Sequence, residues 1–108
     1  ITDVRDLARA LELLADKGDA GGVYNISGAT TYQIREIVET AQTAAQLPLS
    51  IETDPDLLRP SDEKVIFGDS SRLVAATGWR QQIPLAQTLQ DMLAYWRAIY
   101  RVDAGRLP

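Results

Sequence analysis

Arg59, Pro60, Ser61 and Asp62 are residue types that could hold a nucleotide. Proline fixes its own φ and keeps the arginine before it extended. The guanidinium is then a planar, permanently charged fork offered from a stiff loop, a shape that suits a pair of phosphate oxygens. Three residues on, the Asp62 carboxylate can accept hydrogen bonds from a sugar diol. Phosphate beside ribose is what a nucleotide presents. Alone, the tetrapeptide is weak: Arg59 could instead pair on the surface with Asp54, Asp56 or Glu63, a contact worth little. Ser61 could touch a phosphate, but a serine after proline in a turn needs no such role.

The flanking elements must position this loop. Before it lie Leu49–Thr53, read as a strand, and the acidic turn Asp54-Pro55-Asp56. After it come Val65-Ile66-Phe67 and then Gly68 through Trp79. Upstream, Val4, Leu7, Ala8, Leu11, Leu14 and Ala15 fall at helical spacing and end at Lys17-Gly18, with Asp3 or Asp6 near the helix start. Asp19–Gly22 reads as a turn. Val23–Ser27 reads as a short strand, apolar on both faces as in a buried parallel sheet. Thr30 and Gln33 make a capping box for a helix carrying Ile34, Ile37, Val38 and Ala41, which runs to about Leu47, where Pro48 stops it. Asp69 or Ser70 caps a short helix closed by Gly78 in the left-handed region. Pro84 suits the first turn of a last helix with the stripe Leu85, Leu89, Met92, Leu93, Trp96 and Tyr100. Trp79 and Trp96 are expected in the core, Asn25 as a structural hydrogen-bonder at a strand end, and residues 102–108 as a frayed tail.

At 108 residues the chain is one domain at most, and 45% apolar residues allow a compact core. The net charge of −4 disfavours nonspecific binding to nucleic acid or to membranes. No apolar run approaches membrane-spanning length, and no basic-then-apolar leader opens the chain. The absence of cysteine and histidine removes thiol chemistry, the usual zinc ligand sets and a Ser-His-Asp apparatus. The absence of cysteine also fits a cytoplasmic protein.

Five pieces of the chain, in order, carry a resemblance: Thr2–Ala10; Gly22–Gly28; Arg59–Asp62; Gly68–Leu73 with Thr77–Arg80; and Ile83–Leu85 with Thr88–Arg97. As a set they resemble the C-terminal part of the extended short-chain dehydrogenase/reductase family, the NAD(P)-dependent nucleotide-sugar epimerases and dehydratases. Within it the resemblance is strongest to GDP-mannose 4,6-dehydratases and GDP-4-keto-6-deoxymannose reductases. It implies an α/β chain of few short strands: the end of an extended Rossmann-type fold with a helix-rich substrate-binding lobe over residues 1–108. By the same resemblance Arg59 would hold the nucleotide diphosphate and Asp62 the ribose hydroxyls, on a GDP-linked hexose.

The family's redox apparatus is missing. Tyr24, Tyr32, Tyr95 and Tyr100 are followed four places later by Gly28, Glu36, Ile99 and Ala104, never by lysine. Gly18, Gly21, Gly22 and Gly28 do not make the dinucleotide fingerprint, and no strand precedes them. The expectation is a fragment that binds neither NAD nor NADP, turns over no substrate and has no catalytic or metal-binding residue. The parent enzyme would carry the dinucleotide domain. Asp3 and Asp6 could form an acid/base pair, but their place at a helix start favours capping. The open edge of residues 23–27 points to a homodimer or otherwise self-associating fragment. The rival reading is a noncatalytic binding or oligomerisation domain.

Overall fold

A computed structural model describes residues 1–57 and 65–100. Four helices, α1 (Val4–Lys17), α2 (Ile34–Ala45), α3 (Ser71–Thr77) and α4 (Leu85–Tyr100), follow one another, with a 3-10 turn at Pro55–Leu57 between α2 and α3. They pair two by two, α1 with α3 and α2 with α4. No described helix is long and apolar enough to cross a membrane.

α1 starts where its apolar spacing starts, because the Asp3 carboxylate accepts the Arg5 N–H at 2.9 Å. It stops at Gly18, whose N–H donates to the Leu14 carbonyl at 2.8 Å from extended, not left-handed, backbone. Ala10, Leu73 and Trp79 form the buried centre, and Leu13, Leu14, Tyr24 and Ile26 pack against it. The Trp79 indole N–H reaches across to the backbone carbonyl of Asp6 at 3.0 Å, so the tryptophan both fills the core and ties α1 to the end of α3.

Several sequence expectations need correcting. Among the described residues there is no β-strand, although two were expected. Residues 23–27 have no strand beside them. Arg72 donates instead to the Val23 carbonyl at 3.0 Å, and the Ser70 hydroxyl to the Ser27 carbonyl at 3.3 Å. Tyr24 and Ile26 turn inward while Val23 and Asn25 are exposed, so one face only is covered. Residues 49–53 are likewise irregular, since a ladder needs a second strand and no described segment supplies it. α2 is capped three residues later than Thr30: Gln33 is the N-cap, and its N–H donates to the Glu36 carboxylate at 2.6 Å. α2 also ends at Ala45, two residues before Leu47, with Gln46, a non-glycine residue at φ 59°, as its C-cap.

The stripe on α4 is buried only at its start. Leu85 and Leu89 are inside, whereas Trp96 is 47% exposed and stacks with the exposed Tyr100 at 5.4 Å. The expectation that Trp96 lies in the core is therefore wrong: α2 reaches that end of α4, where Arg97 donates to the Ala45 carbonyl at 3.1 Å, yet Trp96 stays exposed. The expected frayed tail, residues 102–108, lies outside the described residues.

α3 closes as the sequence reads: Gly78 has φ 73° and donates to the Val74 carbonyl at 2.8 Å. Nothing lies within 4 Å of a Cβ built there, so any cost of a side chain is backbone strain alone. Gly78→Ala is expected to lower stability by about 1 kcal/mol in a denaturant melt, the penalty of an L-residue in the left-handed region.

Candidate functional site

The proposed phosphate and ribose contacts, Arg59 and Asp62, lie outside the described residues, as do Pro60, Ser61 and Glu63. What is described is the frame on either side. On the upstream side the Asp54 carboxylate accepts the Asp56 N–H at 3.0 Å and its carbonyl accepts the Leu57 N–H at 3.2 Å, which folds Asp54–Leu57 into a turn. On the downstream side Val65, Ile66 and Phe67 are exposed. Gly68 then passes so close to Ser27 that a Cβ on it would lie 2.8 Å from the serine Cβ, which only glycine permits. The Asp69 carboxylate, one residue before Ser70, the N-cap of α3, accepts the Ser71 N–H at 2.8 Å and is held below its ordinary pKa by that bond.

The strongest electrostatic features sit at the start of α1. The Asp3 carboxylate receives Arg5 through two side-chain bonds of 2.9 Å and the Thr88 hydroxyl at 2.7 Å. Arg5, then Thr88, hold it well below the usual carboxylate range. Arg5 also reaches Asp91 on α4 at 2.7 Å. Asp6 is fully buried, yet its carboxylate takes the N–H groups of Gln82 and Ile83 and the Arg9 guanidinium, which lies 2.7 Å away. Burial pushes Asp6 up, but those three donors outweigh it and its pKa falls. Both carboxylates are thus spent on tying α1 to residues 82–91; Asp3 caps α1 as expected, whereas Asp6 caps nothing and bonds instead to Gln82, Ile83 and Arg9. The sequence offered part of this network: Asp6 and Arg9 are spaced i, i+3 on one helix. The partners 76 and more residues away carried no signal.

Other polar groups are also engaged in structure. Tyr24 receives the Asp19 N–H at 2.9 Å, donates to the Asp19 carboxylate at 3.2 Å, and lies under the Arg72 guanidinium at 4.8 Å. Asn25, expected as a hydrogen-bonder, is exposed. Among the described residues no cluster of carboxylates could hold a metal ion.

The described residues do not form the Rossmann turn for a nicotinamide dinucleotide. In that fold a glycine turn leads from a strand into a helix, so that amides at the helix start face the phosphates. Here Gly18, Gly21 and Gly22 lead the other way, out of α1 into the extended run 23–27.

No family model matches the chain. It is 34% identical over 101 residues to the GDP-6-deoxy-D-mannose reductase of Pseudomonas aeruginosa, a match covering 94% of this chain and 33% of that protein. Among solved structures, RMD from Pseudomonas aeruginosa complexed with NADPH superposes with a TM-score of 0.82 at 34% identity, over 91% of this chain and 32% of that one. UDP-glucose 4-epimerase from Bifidobacterium longum in complex with NAD+ and UDP gives a TM-score of 0.71 at 24% identity, over 89% and 28%. At that identity the second likeness speaks for the fold alone. The chain spans about a third of the length of the curated relative it matches.

Proposed function

The chain belongs to the extended short-chain dehydrogenase/reductase family, as the C-terminal part of its members, and from that premise we propose that it is the substrate-binding portion of an NAD(P)-dependent nucleotide-sugar enzyme. The observation that carries the proposal is the 34% identity, along 94% of the chain, with a GDP-6-deoxy-D-mannose reductase. It favours a reductase of a GDP-linked 4-keto-hexose over a dehydratase or an epimerase. Arg59 would hold the diphosphate through charge-assisted bonds, and Asp62 would accept the ribose hydroxyls. The NADPH in the 34%-identical neighbour supports NADP as the cofactor of the longer enzyme.

In this reading the 108 residues bind the nucleotide end of the substrate and leave hydride transfer to the rest of the polypeptide. The chain alone is expected to show no turnover and no NAD(P) binding, since it has neither the glycine turn nor a Tyr-x-x-x-Lys pair. Calorimetric titration checks this. Saturable NAD(P) binding in the micromolar range, about −8 kcal/mol, overturns it. For the longer enzyme, a GDP-linked hexose should bind and a UDP-linked one should bind more weakly; equal binding of the two removes the assignment of guanine.

A further inference from the structure

Alternate residues 68, 70 and 72 fasten the chain to residues 23–27. Gly68 passes Ser27 so closely that a Cβ on it would lie 2.8 Å from the serine Cβ and 3.0 Å from its Oγ. Its φ is not positive, so the position asks for space and not for a left-handed backbone. Ser70 is the N-cap of α3, yet its hydroxyl caps nothing and donates across to the Ser27 carbonyl at 3.3 Å. The Arg72 guanidinium donates to the Val23 carbonyl at 3.0 Å. Leu73 follows, fully buried with Ala10 and Trp79, so this seam is continuous with the core.

The seam is the first described point after Asp62 that is tied to the core. Val65, Ile66 and Phe67, the described residues between them, are all exposed. Before Arg59, the turn Asp54–Leu57 is exposed as well, and the bonds of Asp54 close within it. Gly68 stands six residues after Asp62, a reach of at most about 20 Å. We infer that Gly68 and Ser70, through Ser27, are positioning residues for nucleotide-sugar binding: they set where the chain leaving Arg59–Asp62 joins the core. The inference rests on the functional reading above and adds residues outside the proposed nucleotide-contacting pair. Bidentate and charge-assisted contacts are sensitive to small displacements of what supports them.

The test uses the full-length enzyme, with GDP-mannose and NADPH affinities read by calorimetry beside a thermal melt. Gly68→Ala pushes the two segments apart and is expected to weaken GDP-mannose binding about tenfold, short of the roughly hundredfold that a 1 Å misplacement can cost. NADPH binding should not change. Ser70→Ala adds no volume and should weaken GDP-mannose binding about threefold, as for one neutral hydrogen bond; it decides alone if Gly68→Ala does not fold. Adding Ser27→Gly to Gly68→Ala removes both atoms in the way and should restore the affinity. Gly78→Ala, at the far end of α3, lowers stability but should leave GDP-mannose affinity unchanged. Unchanged affinity in the seam variants overturns the inference, as does a loss that Gly78→Ala shares or that Ser27→Gly fails to restore. Arg59→Ala in the same assay separates the two readings. A loss there with none in the seam variants leaves the functional reading standing without the inference. A loss in the seam variants with none in Arg59→Ala removes Arg59 from the site and keeps the seam. No GDP-mannose binding by the unsubstituted enzyme overturns both.

Discussion

Asp6→Ala is expected to lower the stability of the chain by about 3 kcal/mol, since each buried donor left without an acceptor costs about 1–3 kcal/mol. The substitution strips the acceptor from the N–H groups of Gln82 and Ile83, bonded at 3.1 and 2.9 Å, in a place where the carboxylate has no exposure. Arg9 loses its partner too, but its side chain is 28% exposed and can turn to water, so its share is small. Asp6→Asn keeps one acceptor oxygen and should lose less. Denaturant melts give both values, and a loss below about 1 kcal/mol for Asp6→Ala would mean that water replaces the carboxylate.

The same carboxylates set the acid limb of stability. The pKa of Asp6 and that of Asp3 are both depressed in the fold. Their contribution is therefore complete above the unfolded carboxylate value, about 3.9, and is lost as pH falls below it towards the folded values. Melts repeated between neutral pH and about pH 3 should show stability dropping below pH 4, with a shallower drop in Asp6→Ala.

Arg59→Ala in the full-length enzyme should weaken binding of a GDP-linked hexose by about 1.5–3 kcal/mol, the range for hydrogen bonds to charged groups, and change stability much less. In the proposed role its contact with the diphosphate would be charge-assisted, so the loss is expected in binding. Arg59→Lys should recover only part of the loss, because an ammonium cannot make the paired contact of a guanidinium. Asp62→Asn should have a smaller effect than Arg59→Ala. Calorimetry on the variants decides: substrate affinity unchanged in Arg59→Ala returns the arginine to a surface ion pair with its acidic neighbours.

Local chemistry made much of the chain legible in advance. The spacing from Val4 to Ala15, Asp3 before it and Gly18 after it place α1 without reference to anything distant, because a helix closes its bonds within four residues. Asp69, Ser70 and Gly78 likewise bound α3, and Pro84 immediately precedes α4. The five ordered motifs identify the family because each depends on its own residues. The cap of α2 was missed because Thr30 and Gln33 have suitable types, yet only Glu36 lies within reach of the Gln33 N–H.

What the residues could not announce was everything that needs a distant partner. Whether Val23–Ser27 is a strand depends on a second strand, and its two-faced apolar pattern carries no record of who supplies it. Trp96 has the spacing of a core residue, but its burial depends on which neighbours the tertiary fold sets against it, and it is 47% exposed. Asp6 looks like an ordinary first-turn acid until residues 82 and 83 fold onto it, when burial and their two N–H groups turn it into the fastening of α1 to the segment before α4. Hydrogen bonds along a helix are fixed by chain geometry. Contacts across 76 residues exist only after the chain has closed on itself, and that step belongs to the tertiary structure.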